Sequence, residues 1–250
     1  MDKLVFQVLN GMNVVERRQA ATFNNLANVS TVGFKKSINS AVIWRDLVAK
    51  DHLDSRAFPV LKGENLVDLT PGPMMRTGGE LDVFISGKGL LSVQATDGSE
   101  AYTRRGDLKL TENGVLTTGA GDLVLGDNGV ITIPPAQSIQ LSPDGNLSIV
   151  PMDGNAGEYV LLDRLKLVNG EKTALKIRED GLYEQINKAP LEADAAISLT
   201  LGSLEASAVS PIESMVQMIK DSREYEMHVR VIKNAKEIST SSASIMRLDA

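Results

Sequence analysis

The sequence predicts an α+β fold in which N- and C-terminal helices form a helical-bundle or coiled-coil assembly domain beside a central antiparallel all-β domain. Three observations predict it. Residues about 2–30 and 211–248 carry apolar side chains in alternating steps of three and four, the rhythm of a helix seam. Between them, short alternating runs are punctuated by Asn-Gly and Asp-Gly pairs, which mark tight hairpins. Finally, a C-terminal helix of that length spans roughly 55 Å, more than the width of a compact domain of this size. Such ends can meet only each other or their copies on other molecules, so they read as built for assembly.

In the first helix the seam is Val5, Val8, Met12, Val15, Gln19, Thr22 and Leu26, apolar except at Gln19 and Thr22. Gly11 costs about 1 kcal/mol against Ala in a helix interior. Alone this helix is marginal in water, and it is expected to stay unfolded until it finds a partner. It runs into poor helix formers, with Asn24, Asn25 and Asn28 followed by Ser30, Thr31, Gly33 and Phe34. Their side chains compete with the backbone ladder and favour a cap, and Gly33 suits a left-handed position beyond it. The Asn cluster reads equally as an ordinary cap or as a contact surface.

Residues 35–77 are mixed. Asn39–Asp51 is expected to form a short helix with Val42, Ile43, Leu47 and Val48 on one side, whereas Pro59, Pro71, Gly72 and Pro73 argue for extended chain. From Leu81 to about Leu201, runs such as Leu81–Ile85 and Gly129–Ile133 alternate with turn pairs at Asp97-Gly98, Asn113-Gly114, Asn128-Gly129, Asp144-Gly145, Asp153-Gly154, Asn169-Gly170 and Asp180-Gly181. This is the pattern of an antiparallel sandwich or barrel and not of a βαβ fold.

The last helix opens on Ser210-Pro211-Ile212-Glu213, a capping box with proline at the first helical position. Its seam is Met215, Met218, Ser222, Tyr225, Val229, Ile232, Lys236, Ser239, Ala243 and Met246. A second strip, Ile212, Val216 and Ile219, widens the early face enough to touch two neighbours. The domains expected are 1–35 with 203–250 for the helical assembly part, 36–80 as an extended linker, and 81–202 for the β-rich part. The candidate interface residues are Val5, Val8, Met12, Val15, Leu26, Asn24, Asn25, Asn28, Phe34, Met215, Met218, Tyr225, Val229, Ile232 and Met246.

Composition narrows the function classes. The 250 residues carry a net charge of -6 and show no basic face for phosphate, which argues against nucleic acid. The absence of cysteine removes disulfides and thiolate chemistry. A 4% aromatic content with one Trp, Trp44, is thin for stacking sugars. The apolar stretch Leu4–Leu9 is short and broken by Gln7, so no signal peptide is expected, and no run approaches a membrane span.

The chain carries no Walker loop, G-x-G-x-x-G or G-x-S-x-G. His52 and His228 form no paired ligand set, and Asp122–Asp127 misses the calcium-loop spacing. Carboxylates such as Glu179-Asp180 and Asp107/Glu112 fall in hairpin turns. No catalytic residue, cofactor, metal or small-molecule substrate is expected.

The run Asn24–Thr31 with Gly33-Phe34-Lys35 closely resembles the signature of the flagellar rod and hook protein family. The resemblance continues through Leu81-Asp82-Val83, Gly87-Lys88-Gly89-Leu90 and Ala101-Tyr102-Thr103-Arg104-Arg105-Gly106. It resumes at Gly202-Ser203-Leu204-Glu205-Ala206-Ser207, at Met215-Val216 with Met218-Ile219, and at Arg223-Glu224-Tyr225-Glu226-Met227. These blocks keep the family's order and cover most of the chain. Met1–Leu4, Leu69–Gly72 and Arg164–Val168 look like the proximal-rod members, whereas Ala41–Leu47 is reminiscent of the distal rod, and Ala208 stands where the family usually shows Asn.

The resemblance implies a subunit exported unfolded through the flagellar type III apparatus without signal cleavage. It further implies polymerisation with other proximal and distal rod subunits into a helical rod under the outer membrane, with the terminal helices as the inner tube and the β domain outside. Two exposed seams per subunit would supply the non-closing contacts of a helical filament. Two readings compete with it: a secreted β-rich enzyme acting on cell-wall glycans, and a monomeric module whose helices pair internally.

Overall fold

The computed structural model describes residues 2–39, 42–47, 56–61, 65–152, 159–171 and 173–248. In chain order these form α1 (Asp2–Ala27), β1 (Ser37–Asn39), β2 (Val42–Leu47), β3 (Arg56–Leu61), β4 (Asn65–Val67), β5 (Met74–Arg76) and β6 (Val83–Ile85). There follow β7 (Gly89–Gln94), β8 (Glu100–Thr103), β9 (Leu108–Leu110), β10 (Leu116–Thr118), β11 (Leu123–Gly126), β12 (Gly129–Val130), β13 (Ala136–Leu141) and β14 (Asn146–Pro151). The chain ends with β15 (Val160–Arg164), β16 (Leu167–Asn169), β17 (Leu175–Ile177), β18 (Tyr183–Gln185), β19 (Leu199–Leu201), β20 (Ser203–Glu205) and α2 (Pro211–Leu248). Two terminal helices and a central antiparallel β region therefore make the fold α+β.

The chain divides into two compact units. The helical unit comprises Met1–Ala27, Ile38–Asn65 and Ser210–Ala250, and the β unit comprises Asn28–Ser37 and Leu66–Val209. In the helical unit β2 and β3 form an antiparallel hairpin with Trp44 opposite Pro59. This corrects the short helix expected over Asn39–Asp51; of that span, 40–41 and 48–51 lie outside the described residues. Val42, Ile43 and Trp44 are strand formers, and the partner strand Arg56–Leu61 settles the matter in a way local propensity could not.

In the β unit the main sheet runs β4-β17-β18-β8-β7-β11-β10-β9, with β16 also on β7 and β12 on β11. A second sheet is β13-β14-β15, and short pairs join β19 to β6 and β20 to β5. The turn pairs perform as their chemistry requires: Gly98, Gly114, Gly129, Gly145 and Gly181 all have positive φ. Asn169-Gly170 is the exception. Gly170 is not among the positive-φ residues, and an added Cβ would come within 2.5 Å of the Leu69 side chain, so glycine there serves close packing. Asp153-Gly154 lies outside the described residues.

Strand β7 is buried on both faces. Leu91 and Val93 join the larger core, with Val83, Ile85, Leu116, Leu147, Leu165 and Leu167. Leu90 joins a smaller one with Tyr102, Val168, Leu175 and Tyr183. Successive residues of a strand point to opposite faces, so one strand organises both clusters. The Tyr102 hydroxyl accepts the Leu191 N–H at 2.6 Å, and burial pushes its pKa up to about 12.

One buried ionic cluster ties distant parts of this unit together. Glu205 on β20 accepts from Lys35 Nζ at 2.5 Å and from Arg104 Nε at 2.6 Å, and also from the Gly72 N–H at 2.5 Å. Lys35 Nζ also donates to the Thr70 carbonyl, and Arg104 Nη1 to the Gly89 carbonyl. Two backbone rungs flank the cluster, Gly33 N–H to the Glu205 carbonyl at 2.7 Å and Ala208 N–H to the Phe34 carbonyl at 3.0 Å. Gly33 has φ +67°, as its expected left-handed role requires.

Candidate assembly interface

The helical unit pairs α1 with α2. Arg18 Nε donates to Asp221 Oδ1 at 2.6 Å, and its Nη2 bonds Glu224. Seven residues earlier on α1, Gly11 faces the His228 ring, where an added Cβ would lie 2.8 Å from Cε1. A step back along α1 thus matches a step forward along α2, so the helices run antiparallel. The partner that α1 was expected to need is supplied within the chain by α2.

On α1 the whole seam read from the sequence is covered. Val15 and Thr22 are buried, and Val5, Val8, Met12, Gln19 and Leu26 are half-buried. The Thr22 hydroxyl back-bonds to the Arg18 carbonyl at 3.0 Å, satisfying a polar group on the inner face. Of the Asn run, Asn25 is buried, Asn28 half-buried and Asn24 exposed. Asn28 accepts from the Thr31 hydroxyl at 3.1 Å through its Oδ1, and its carbonyl accepts the Thr31 N–H, an ordinary capping turn. Phe34 belongs to the β unit, half-buried, with its carbonyl on Ala208.

On α2 the covered face lies one residue from the seam read in the sequence. Ser214, Met218, Asp221, Glu224, His228, Ile232 and Ala235 are buried or half-buried, in steps of three and four. Most are polar. Asp221 is fully buried, receives Gln217 Nε2 at 2.8 Å besides Arg18, and keeps an Oδ2 without a hydrogen-bond partner. Burial alone would lower the Arg18 pKa, but its hydrogen bonds to Glu224 and Asp221 outweigh that and raise it.

Most apolar residues of α2 whose side chains are described face outward instead. Of the predicted set, Met218 and Ile232 are half-buried, whereas Met215, Tyr225 and Val229 are exposed; the Met246 side chain lies outside the described set. The second strip is also open: Ile212 is 76% exposed and Ile219 54%, with Val216 between them. Met227, Val231 and Ile238 continue the exposure along the helix. The helix begins where its capping box placed it, with the Glu213 N–H reaching the Ser210 hydroxyl at 3.4 Å. Sequence reasoning missed Arg18, Asp221 and His228 because it sought an apolar inner face. The signal available was the helical recurrence of polar residues at 214, 217, 221, 224 and 228.

The turn carboxylates Asp97, Asp107 and Asp180 have structural partners. Arg105 holds Asp107 through two bonds at 2.7 and 3.0 Å. Asp180 caps the Leu182 N–H and pairs with Arg178. Hydrogen bonds from Ser99, then from Arg178, hold Asp97 far below the usual carboxylate range. Among the described residues no group of His, Asp or Glu is placed to hold a metal ion, and no helix is long and apolar enough to cross a membrane.

Two family models match the chain. Residues 84–149 match the flagellar hook protein FlgE/F/G D1 domain, and residues 200–245 the flagellar basal body rod FlgEFG protein C-terminal region. The flagellar basal-body rod protein FlgF of Salmonella typhimurium is 34% identical over 254 residues, covering 95% of each chain. FlgF of Escherichia coli is 32% identical with the same coverage. FlgG of Bacillus subtilis is 29% identical over 269 residues, 99% of this chain and 100% of its own.

Proposed function

The chain belongs to the flagellar basal-body rod protein family, as a structural subunit of the flagellum, and we propose that it polymerises through its terminal helices into part of the hollow drive shaft. The observation that carries this mechanism is the inverted polarity of α2. Its intramolecular face is polar and salt-bridged, while Ile212, Met215, Val216 and Ile219 form an open apolar strip. Apolar area left in water costs about 25 cal/mol per Å². Covering that strip with helices of neighbouring rod subunits recovers the cost in every copy.

An open apolar strip on the outward face of one helix suits the heterologous contacts of a helical filament. Torque then passes through packed helices, and no catalytic step is required of the chain. The family also supports partners among other rod and hook subunits. Delivery unfolded through the type III export apparatus, without a cleaved signal, completes the reading and puts the subunit in the periplasmic rod. Its proximal position is supported by Met1–Leu4 and Leu69–Gly72; the distal rod is the alternative favoured by Ala41–Leu47.

The test is Ile212→Asp combined with Ile219→Asp in a strain lacking the native gene. Both side chains are open in the single chain, so the variant is expected to fold, with unchanged near-ultraviolet dichroism, yet to be absent from purified hook–basal bodies and non-motile in soft agar. Normal swimming by this strain would overturn the mechanism.

A further inference from the structure

Lys35, Arg104 and Glu205 come from three widely separated stretches of sequence, and none is more than 1% exposed. One carboxylate serves two cations, so the three side chains sum to one positive charge, which Asp68 faces without a hydrogen bond to either cation, and Arg104 Nη2 finds no hydrogen-bond partner. Glu205 is therefore the residue on which burial of both cations depends. It arrives on β20, the last strand of the unit, while Lys35 belongs to the segment that directly follows α1.

We propose that this cluster is a closure lock: the β unit reaches its folded state only when the segment behind α1 and the strand before α2 are both seated. Hairpins such as β7–β8 are local and form quickly on their own. Burying Arg104 beneath them without Glu205 strands a charge in the interior, and a buried charge left without its partner costs several kcal/mol. The backbone rungs from Gly33 to Glu205 and from Ala208 to Phe34 form in the same step, because they join the stretch of chain that carries Lys35 to the stretch that carries Glu205. For a chain that emerges N-terminus first, closure waits until β20 has emerged. That last consequence rests on the export reading above, whereas the lock itself is a property of the purified chain.

Pulse-labelled hydrogen exchange during refolding of the full chain tests the order. The N–H groups of Gly33 and Ala208 report the two ends; those of Ser92, bonded to Lys166, and Leu116, bonded to Ile131, report the core. All four are expected to gain protection in one step. Protection of Ser92 and Leu116 in an earlier phase would overturn the lock. Equilibrium variants test the charge logic. Glu205→Gln leaves two buried cations and lowers the folding constant roughly 100- to 1000-fold, whereas Lys35→Met leaves a neutral Arg104–Glu205 pair and lowers it about tenfold or less. If Glu205→Gln does not fold at all, Lys35→Met combined with Glu205→Gln, with one cation fewer, is expected to regain folding at least about tenfold. Equal damage from Lys35→Met and Glu205→Gln, or no recovery in the pair, would refute the proposal while leaving the rod reading intact.

Discussion

A methyl group at residue 33 would sit 2.4 Å from the Arg104 carbonyl oxygen and 2.7 Å from the Arg105 nitrogen. Both are backbone atoms of a buried segment, so neither can yield as a side-chain tip would, and the positive φ adds its own strain. Gly33→Ala is expected to lower stability by more than about 2 kcal/mol, read from denaturant midpoints. The neighbouring Lys35 makes a pH prediction. Burial first, and Arg104 beside it, depress its pKa below 10.5 despite the hydrogen bond to Glu205; Asp68 and Tyr183 are the other titratable groups facing the cluster. Between the depressed value and 10.5 the unfolded chain binds the extra proton, so stability rises with pH in that window. Tyr102 acts in the opposite sense: raised to about 12 from 10.0, it contributes stability below pH 10 that is lost as pH climbs toward 12. Tyr183, raised by burial, adds to that fall. Melting temperatures should therefore rise as pH climbs toward 10 and drop beyond it toward pH 12. Lys35→Met should abolish the rise and keep the drop; a rise that survives in this variant would assign it to another group.

Helices and hairpins were legible in proportion to how local their causes are. The start of α2 follows from Ser210, Pro211 and Glu213 alone, and the positive φ of Gly98, Gly114, Gly129, Gly145 and Gly181 answers to the Asn or Asp just before each, so these elements stood in the sequence. The β2–β3 hairpin did not, because Val42–Leu47 has an apolar pattern that serves helix or strand, and only pairing with Arg56–Leu61 decides. The α1–α2 register was hidden for a different reason. An inner face that includes Ser214, Asp221, Glu224 and His228 breaks the rule that apolar means inside, and two of its carboxylates, Asp221 and Glu224, are met by Arg18 from the other end of the chain. The same distance hid the Lys35–Glu205–Arg104 cluster, whose members appeared in the sequence only as pieces of three motifs. The helix pair carries its own prediction. Arg18→Met leaves Asp221 buried without a cation, but Arg18 is about one-third exposed, so the loss is discounted to about 2 kcal/mol. Hydrogen exchange of α1 amides should quicken accordingly, and Asp221→Leu added to Arg18→Met should slow it again. Exchange unchanged in Arg18→Met would mean that packing alone holds the helices together.

At the scale of the whole molecule, the two faces of the helix pair answer different needs and should fail in different ways. Met12 and Ile232 are half-buried within the chain, so aspartate at both positions burdens the α1–α2 pair itself as well as whatever an assembled rod packs around it. Ile212 and Ile219 are open, so aspartate there spares the pair and burdens assembly alone. The β unit is a separate compact body with its own core, and neither change touches that core. Met12→Asp with Ile232→Asp is therefore expected to lose helical dichroism at 222 nm while the near-ultraviolet signal of the β unit persists, because the tyrosines Tyr102 and Tyr183 report its smaller core. Ile212→Asp with Ile219→Asp should keep both signals in dilute solution. Each strain should nevertheless lack the subunit in purified hook–basal bodies, because a filament repeats one defective contact in every copy and a few kcal/mol per interface multiplies along it. Swimming by the inner-face variant would show that the helix pair need not be intact in the rod. Retained motility in both strains would leave the exposed apolar strip without a partner, and assembly through the terminal helices would lose its physical basis.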